Sequence, residues 1–181
     1  MRYRLAVLAV VAAAMAFGVA VPVGAARAKA NTTQSFCGIG WGSQLKSVTG
    51  TTTSPLTNVR GGRHACYDRL VLDFKGKSNY FHVEYVAKVN DDYTGLDLPE
   101  RGSAQLRIAS DNSGDSYDPI YHPANTRELV NVNGWRTFRQ VVLMGGIDVL
   151  LGLRARLPFR VFYLDGPGAG SRLVIDVAHR W

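Results

Sequence analysis

From Tyr80 to Val89 the chain shows its cleanest alternation. Phe81, Val83, Tyr85, Ala87 and Val89 fall on one side, His82, Glu84 and Lys88 on the other. Successive side chains of extended backbone point to opposite faces, so a period of two with one apolar side marks a half-buried strand. The pattern recurs: Leu70, Leu72 and Phe74 alternate with Val71, Asp73 and Lys75, and Ala104, Leu106 and Ile108 alternate with Gln105 and Arg107. Further strands are expected at Glu128–Val132, Phe138–Met144, Ile147–Leu153, Phe159–Leu164 and Arg172–Ala178, with a turn at Asn90-Asp91-Asp92. Only Ile147–Leu153 also suits a short helix; no capped 3.6-residue stripe occurs in this region. Many short strands at near-regular spacing predict an all-β fold, an antiparallel β-sandwich or a small barrel.

The N-terminus obeys different rules. Arg2 and Arg4 precede an apolar stretch from Leu5 to Val23 that is broken only by Gly18 and Pro22, and small residues follow. This is the layout of a secretory signal peptide over residues 1–28, with cleavage after Ala28 or, alternatively, Ala30. About 19 apolar residues just suffice to span a bilayer. Gly18 and Pro22 near the end of the stretch, with no basic stop-transfer cluster after it, favour cleavage over a retained membrane span. The expected localisation is secreted or cell-envelope, outside the cytoplasm.

Removing that segment changes the charge. The whole chain has 21 Lys and Arg against 14 Asp and Glu, a net +7. Residues 1–30, up to the later cleavage position, hold Arg2, Arg4, Arg27 and Lys29 and no acids, and 21 less those four leaves 17, a net of +3. The remaining basic residues form no run of five or more, which excludes nucleic acid as a partner. Mild positive charge favours an anionic envelope polymer.

Two cysteines remain, Cys37 and Cys66. In an oxidising compartment they are expected to form one disulfide, tethering a leader or linker over 29–55, rich in Thr, Ser and Gly, to a folded domain over 56–181. The chain-entropy value of such a loop is about 3.5 kcal/mol.

Two hexapeptides echo each other. Arg69-Leu70-Val71-Leu72-Asp73-Phe74 is answered by Arg172-Leu173-Val174-Ile175-Asp176-Val177, each with a basic first and an acidic fifth residue. Together with Val59-Arg60, His64, Tyr67-Asp68 and Pro158-Phe159-Arg160-Val161, these stretches resemble the AMIN-like domain of actinobacterial secreted proteins, related to the AMIN domain that accompanies N-acetylmuramoyl-alanine amidases. The resemblance covers about Leu56 to Ala178. It implies a β-sandwich of two related sheets that binds peptidoglycan or localises to the envelope without catalysis of its own.

The residues themselves offer little catalytic chemistry. His64, His82, His122 and His179 lie far apart in sequence and lack metal-type spacing. His64 with Asp68 is a formal pair, but no GxSxG elbow accompanies it. Asp111–Asp118 places oxygen ligands at alternate positions, yet Ser116 stands where a calcium loop needs Gly, so an ordinary loop is expected there. Gly166-Pro167-Gly168-Ala169-Gly170 precedes a strand instead of opening a helix, which fits a hairpin connection better than a phosphate loop. No catalytic residue, metal or cofactor is expected. Arg60, Arg63 and Arg69 are candidates for holding an anionic polymer through guanidinium forks. Tyr117, Tyr121 and Trp135 are candidate sugar-stacking rings. The expected function is an exported, non-catalytic binding module associating with peptidoglycan or another envelope polymer. The alternatives are a β-barrel carrier of a small apolar ligand and an envelope hydrolase of unrecognised type.

Overall fold

The computed structural model describes residues 34–92, 94–110, 120–145 and 148–181. The expected signal peptide and the Asp111–Asp118 loop lie outside them. Among the described residues no helix is long and apolar enough to cross a membrane.

The alternating segments form strands, with β-branched and aromatic side chains seated on pleated, half-buried surfaces. The chain runs through β1 (Gln34–Phe36), β2 (Ile39–Trp41), β3 (Lys46–Thr49), β4 (Leu56–Arg63), β5 (Tyr67–Phe74), β6 (Tyr80–Val86), β7 (Val89–Asp91) and β8 (Leu96–Leu98). It continues through β9 (Ala104–Ala109), β10 (Phe138–Met144), β11 (Asp148–Leu153), β12 (Phe159–Asp165) and β13 (Ser171–Ala178). One sheet has the order β12-β13-β5-β4 and the other β10-β11-β9-β6-β3, while β1-β2 and β7-β8 are separate hairpins. Every pairing is antiparallel. Both large sheets are open and have edge strands, so the fold is the sandwich and not the closed barrel of the carrier alternative.

The core lies between the two sheets. Leu70 and Leu72 from β5 and Leu173, Ile175 and Val177 from β13 form one wall. Val83, Leu106, Ile108, Val141, Val149, Leu151 and Leu153 form the other. All of these are fully withdrawn from solvent, each contributing about 1.5–3 kcal/mol of transfer free energy. Val142 and Leu150 point to the far side of the five-stranded sheet, where Leu98 of the β7–β8 hairpin covers them. β11 is thus buried on both faces, which explains why its apolar run shows no clean alternation. It is a strand, not the competing short helix.

Three expectations need correction. Glu128–Val132 is not a strand. The Asn131 side chain accepts from the Asn133 amide at 3.1 Å, and Gly134 follows with φ of 74°. This side-chain-closed turn cuts the segment short, so it meets the edge of β10 only through isolated bonds, Leu129 N–H to the Val141 carbonyl at 3.0 Å and Leu143 N–H to the Thr126 carbonyl at 2.7 Å, and no regular ladder forms. Leu129, Val130 and Val132 then pack against the core from irregular backbone. The strand expected over Tyr80–Val89 ends at Val86, and Asn90 and Asp91 belong to β7, with the turn after them closed by amides of Thr94 and Gly95 on the Asp91 carbonyl. Finally, residues 29–55 hold more than a tether: β3 is the fifth strand of the large sheet, paired with β6 from Lys46↔Val83 to Thr49↔Tyr80.

Candidate binding face

β5 and β13 are neighbours in the middle of the four-stranded sheet, and they carry the two echoing hexapeptides. Because they run antiparallel, Arg69 stands opposite Asp176 and Arg172 opposite Asp73. An approximate twofold axis passes beside the Val71–Val174 pair and relates the hairpin β4–β5 to the hairpin β12–β13. The echo therefore joins two hairpins within one sheet.

Strand parity sends Arg69, Val71, Asp73, Arg172, Val174 and Asp176 to the outer face, away from the core. Arg160 and Phe162 of β12 and Arg60 of β4 complete it, standing opposite Asp176, Val174 and Val71. Two charged rows result. In the first, Arg69 donates through Nε at 2.6 Å and Nη2 at 2.9 Å to the two oxygens of Asp176, and Arg160 Nε donates to Asp176 Oδ2 at 2.8 Å. Asp176 is wholly buried beneath them although it lies on an outer face. In the second, Arg60 forks onto Asp73 at 2.8 and 3.1 Å. Hydrogen bonding to Asp73 raises the pKa of Arg60, and hydrogen bonding to Asp176 raises that of Arg69.

The twofold breaks at Arg172. Its opposite number, Asp73, is engaged by Arg60, so Arg172 turns its Nη2 to the Asp165 carbonyl at 2.8 Å. Its Nε is left buried without an acceptor. An unsatisfied buried donor of a charged group is costly and uncommon. Arg172 borders the outer face, beside the exposed edge of Leu164.

Aromatic rings flank the first row. The Arg69 and Arg160 guanidiniums lie 5.3 and 5.5 Å from the Tyr67 ring centre and 5.8 and 5.1 Å from that of Phe162. His64 stacks on Tyr67 at 4.5 Å, and buried Trp41 of β2 closes the end of the face against Tyr67 at 5.9 Å. Four arginines against two aspartates leave the face cationic, with flat π surfaces beside the charges.

The sequence candidates divide on this map. Arg60 and Arg69 share the outer face, each tied to a carboxylate. Arg63 stands opposite Asp68, an inward residue, and so lies on the other side of β4. Trp135 and Tyr121 are half-buried packing groups. Trp135 stacks on Phe138 at 5.5 Å and roofs Gly61, where a β-carbon would meet its ring at 2.7 Å. The Tyr121 hydroxyl bonds to the Val59 backbone, and burial raises its pKa. Tyr117 lies outside the described residues. His64 and Asp68 are not a pair: buried Asp68 accepts from the Thr137 amide at 2.7 Å and hydroxyl, and faces His179 at 3.3 Å. Gly166–Gly170 forms the β12–β13 connection, closed by Gly166 N–H donating to the Gly170 carbonyl at 3.0 Å. Among the described residues no three His, Cys, Asp or Glu side chains gather as a metal site requires. Sequence reasoning missed Arg160, Arg172 and Tyr67, although the echo itself marks Arg172.

Cys37 and Cys66 are joined in a disulfide. It fastens the β1–β2 turn to the turn between β4 and β5, and so holds Trp41 over the end of the face.

No curated protein and no solved structure matches the chain significantly. A family model described as the AMIN-like domain matches residues 54–179, from just before β4 to just after β13. By that match, which takes in both echoing hairpins, the chain belongs to the AMIN-like domain family.

Proposed function

We propose that the protein is an exported, non-catalytic binding module of the cell envelope, with peptidoglycan as partner. The outer face of the four-stranded sheet carries the proposal. There, among the described residues, four guanidiniums outnumber two carboxylates, and the rings of Tyr67, His64 and Phe162 lie alongside. A wall polymer offers what this face lacks: carboxylates for guanidinium forks and sugar rings for flat π surfaces. Export is supported by the leader-like segment 1–28 and by the disulfide.

Co-sedimentation with purified insoluble peptidoglycan tests this. The protein is expected in the pellet at low salt and to be released as salt screens the guanidiniums. An Arg60→Ala, Arg172→Gln double variant is expected to lose at least about tenfold in apparent affinity, since each guanidinium–carboxylate bond contributes about 1.5–3 kcal/mol. Retention of the unaltered protein in the supernatant at low salt would overturn the proposal.

A further inference from the structure

Arginine is distributed unevenly with respect to its partners. Arg60, Arg69, Arg101, Arg107, Arg127 and Arg160 each hold a carboxylate. At the end of the sandwich where β5 and β10 begin and β11 and β13 finish, three others hold none among the described residues. Arg136, Arg154 and Arg180 line one open cleft of about 560 Å³ together with His179 and the Cys37–Cys66 disulfide. That volume is in the range of ligand sites, about 300–1,000 Å³.

The cleft is built by several chain segments. The His179 amide donates to the Cys66 carbonyl at 2.9 Å and the Arg154 amide to the Thr137 carbonyl at 2.9 Å. Arg154 Nη2 donates to the His179 carbonyl. Arg180 lies 4.6 Å over the ring of Phe36, whose place the neighbouring disulfide fixes. Arg136 is exposed and makes no hydrogen bond or ion pair among the described residues. Among the described residues no acidic one lines the cleft. Asp68, which lies behind His179, is buried and occupied by Thr137 and His179.

We infer that this cleft is an anion site separate from the sheet face, and that it takes a phosphate group. Three guanidinium forks exceed what one carboxylate, with two oxygens and one charge, engages. They match the several oxygens and higher charge of a phosphate, borne by a diester polymer or by a small phosphate compound. The segments that present the forks are held by backbone bonds and a disulfide, so little ordering is needed on binding.

The test is a titration of the purified protein followed through its arginine Nε–H NMR signals. Inorganic pyrophosphate and a synthetic glycerol-phosphate polymer serve as probes, with polyglutamate as comparator. Signals of Arg136, Arg154 and Arg180 are expected to shift with either phosphate probe, and the tighter probe identifies the source. Arg136→Gln is expected to weaken binding about tenfold with an unchanged melting temperature, since that side chain supports nothing. Arg60→Ala, on the sheet face, is expected to leave phosphate binding unchanged. No shift at the three arginines, equal competition by polyglutamate, or equal loss in Arg60→Ala would overturn the inference.

Discussion

Asp176 is the residue on which the sheet face depends most. It is wholly buried, yet two guanidiniums converge on it, with side chains 23% and 31% exposed. Asp176→Asn removes the charge that both are arranged around and leaves them uncompensated. Removing one partner of a buried pair costs about 3–5 kcal/mol, and the partial exposure of the arginines puts the expected loss near the lower limit, read by urea denaturation. The pair Lys77–Asp165 is a contrast at 2.6 Å with both groups in water. Lys77 holds the Asp165 carboxyl below its ordinary range, but Asp165→Asn is expected to leave the unfolding midpoint where it is. Tyr85 sets the alkaline limit. Its hydroxyl donates to the Leu157 carbonyl at 2.6 Å and accepts from the Leu157 amide at 2.9 Å, and burial pushes its pKa well above the ordinary value of 10.0. A raised acid favours the neutral form in the folded state. Its contribution is therefore complete below pH 10 and lost progressively above it. Tyr85→Phe is expected to lower stability at pH 7 by about 1–2 kcal/mol and to flatten the decline above pH 10, both read from unfolding curves at several pH values. None of these roles was visible along the chain. Asp176 was legible as an acidic residue in a repeated strand, whereas its burial depends on Arg160, which only the β12 register brings there.

At the scale of elements, alternation identified the strands whose two faces differ in solvent exposure, and β5, β6 and β9 were legible for that reason. β11 has both faces buried, so periodicity could not distinguish strand from helix there. The 128–132 segment carried apolar residues in a strand-like pattern, but those residues pack on the core from irregular backbone beside β10. β1 to β3 had no apolar alternation to show, since β3 is a short edge strand with Ser47, Val48 and Thr49 exposed. Their place depends on the disulfide and on Trp41. Replacing both Cys37 and Cys66 with Ser is expected to lower stability by up to about 3.5 kcal/mol, with amide exchange in β1–β3 accelerating more than in β5 or β13. Uniform acceleration would show that the N-terminal hairpin is held by packing alone. Gly152 in β11 is the tightest backbone approach: an added β-carbon would lie 2.0 Å from the Arg101 carbonyl oxygen. Gly152→Ala is expected to cost about 3 kcal/mol, because backbone cannot move aside as a flexible side chain can. That requirement is invisible in a sequence where Gly152 simply interrupts an apolar run.

For the whole molecule, the family match fits a binding module of the cell envelope, and the proposed sheet face and end cleft would give it two anion-binding surfaces of different kinds. The echo suggested two related halves of a sandwich, whereas its two copies are neighbours in one four-stranded sheet. That neighbourhood has a consequence for the order of assembly. β13 sits between β5 and β12, so the four-stranded sheet has a gap at its centre until residues 171–178 arrive, and the Arg69–Asp176 contact spans 107 positions. Such topologies fold slowly, because long loops must close before distant pairings repay them. In a nascent chain of this kind β4–β5 and β12 wait unjoined until β13 is delivered, so the last strand made is the one that closes the sheet.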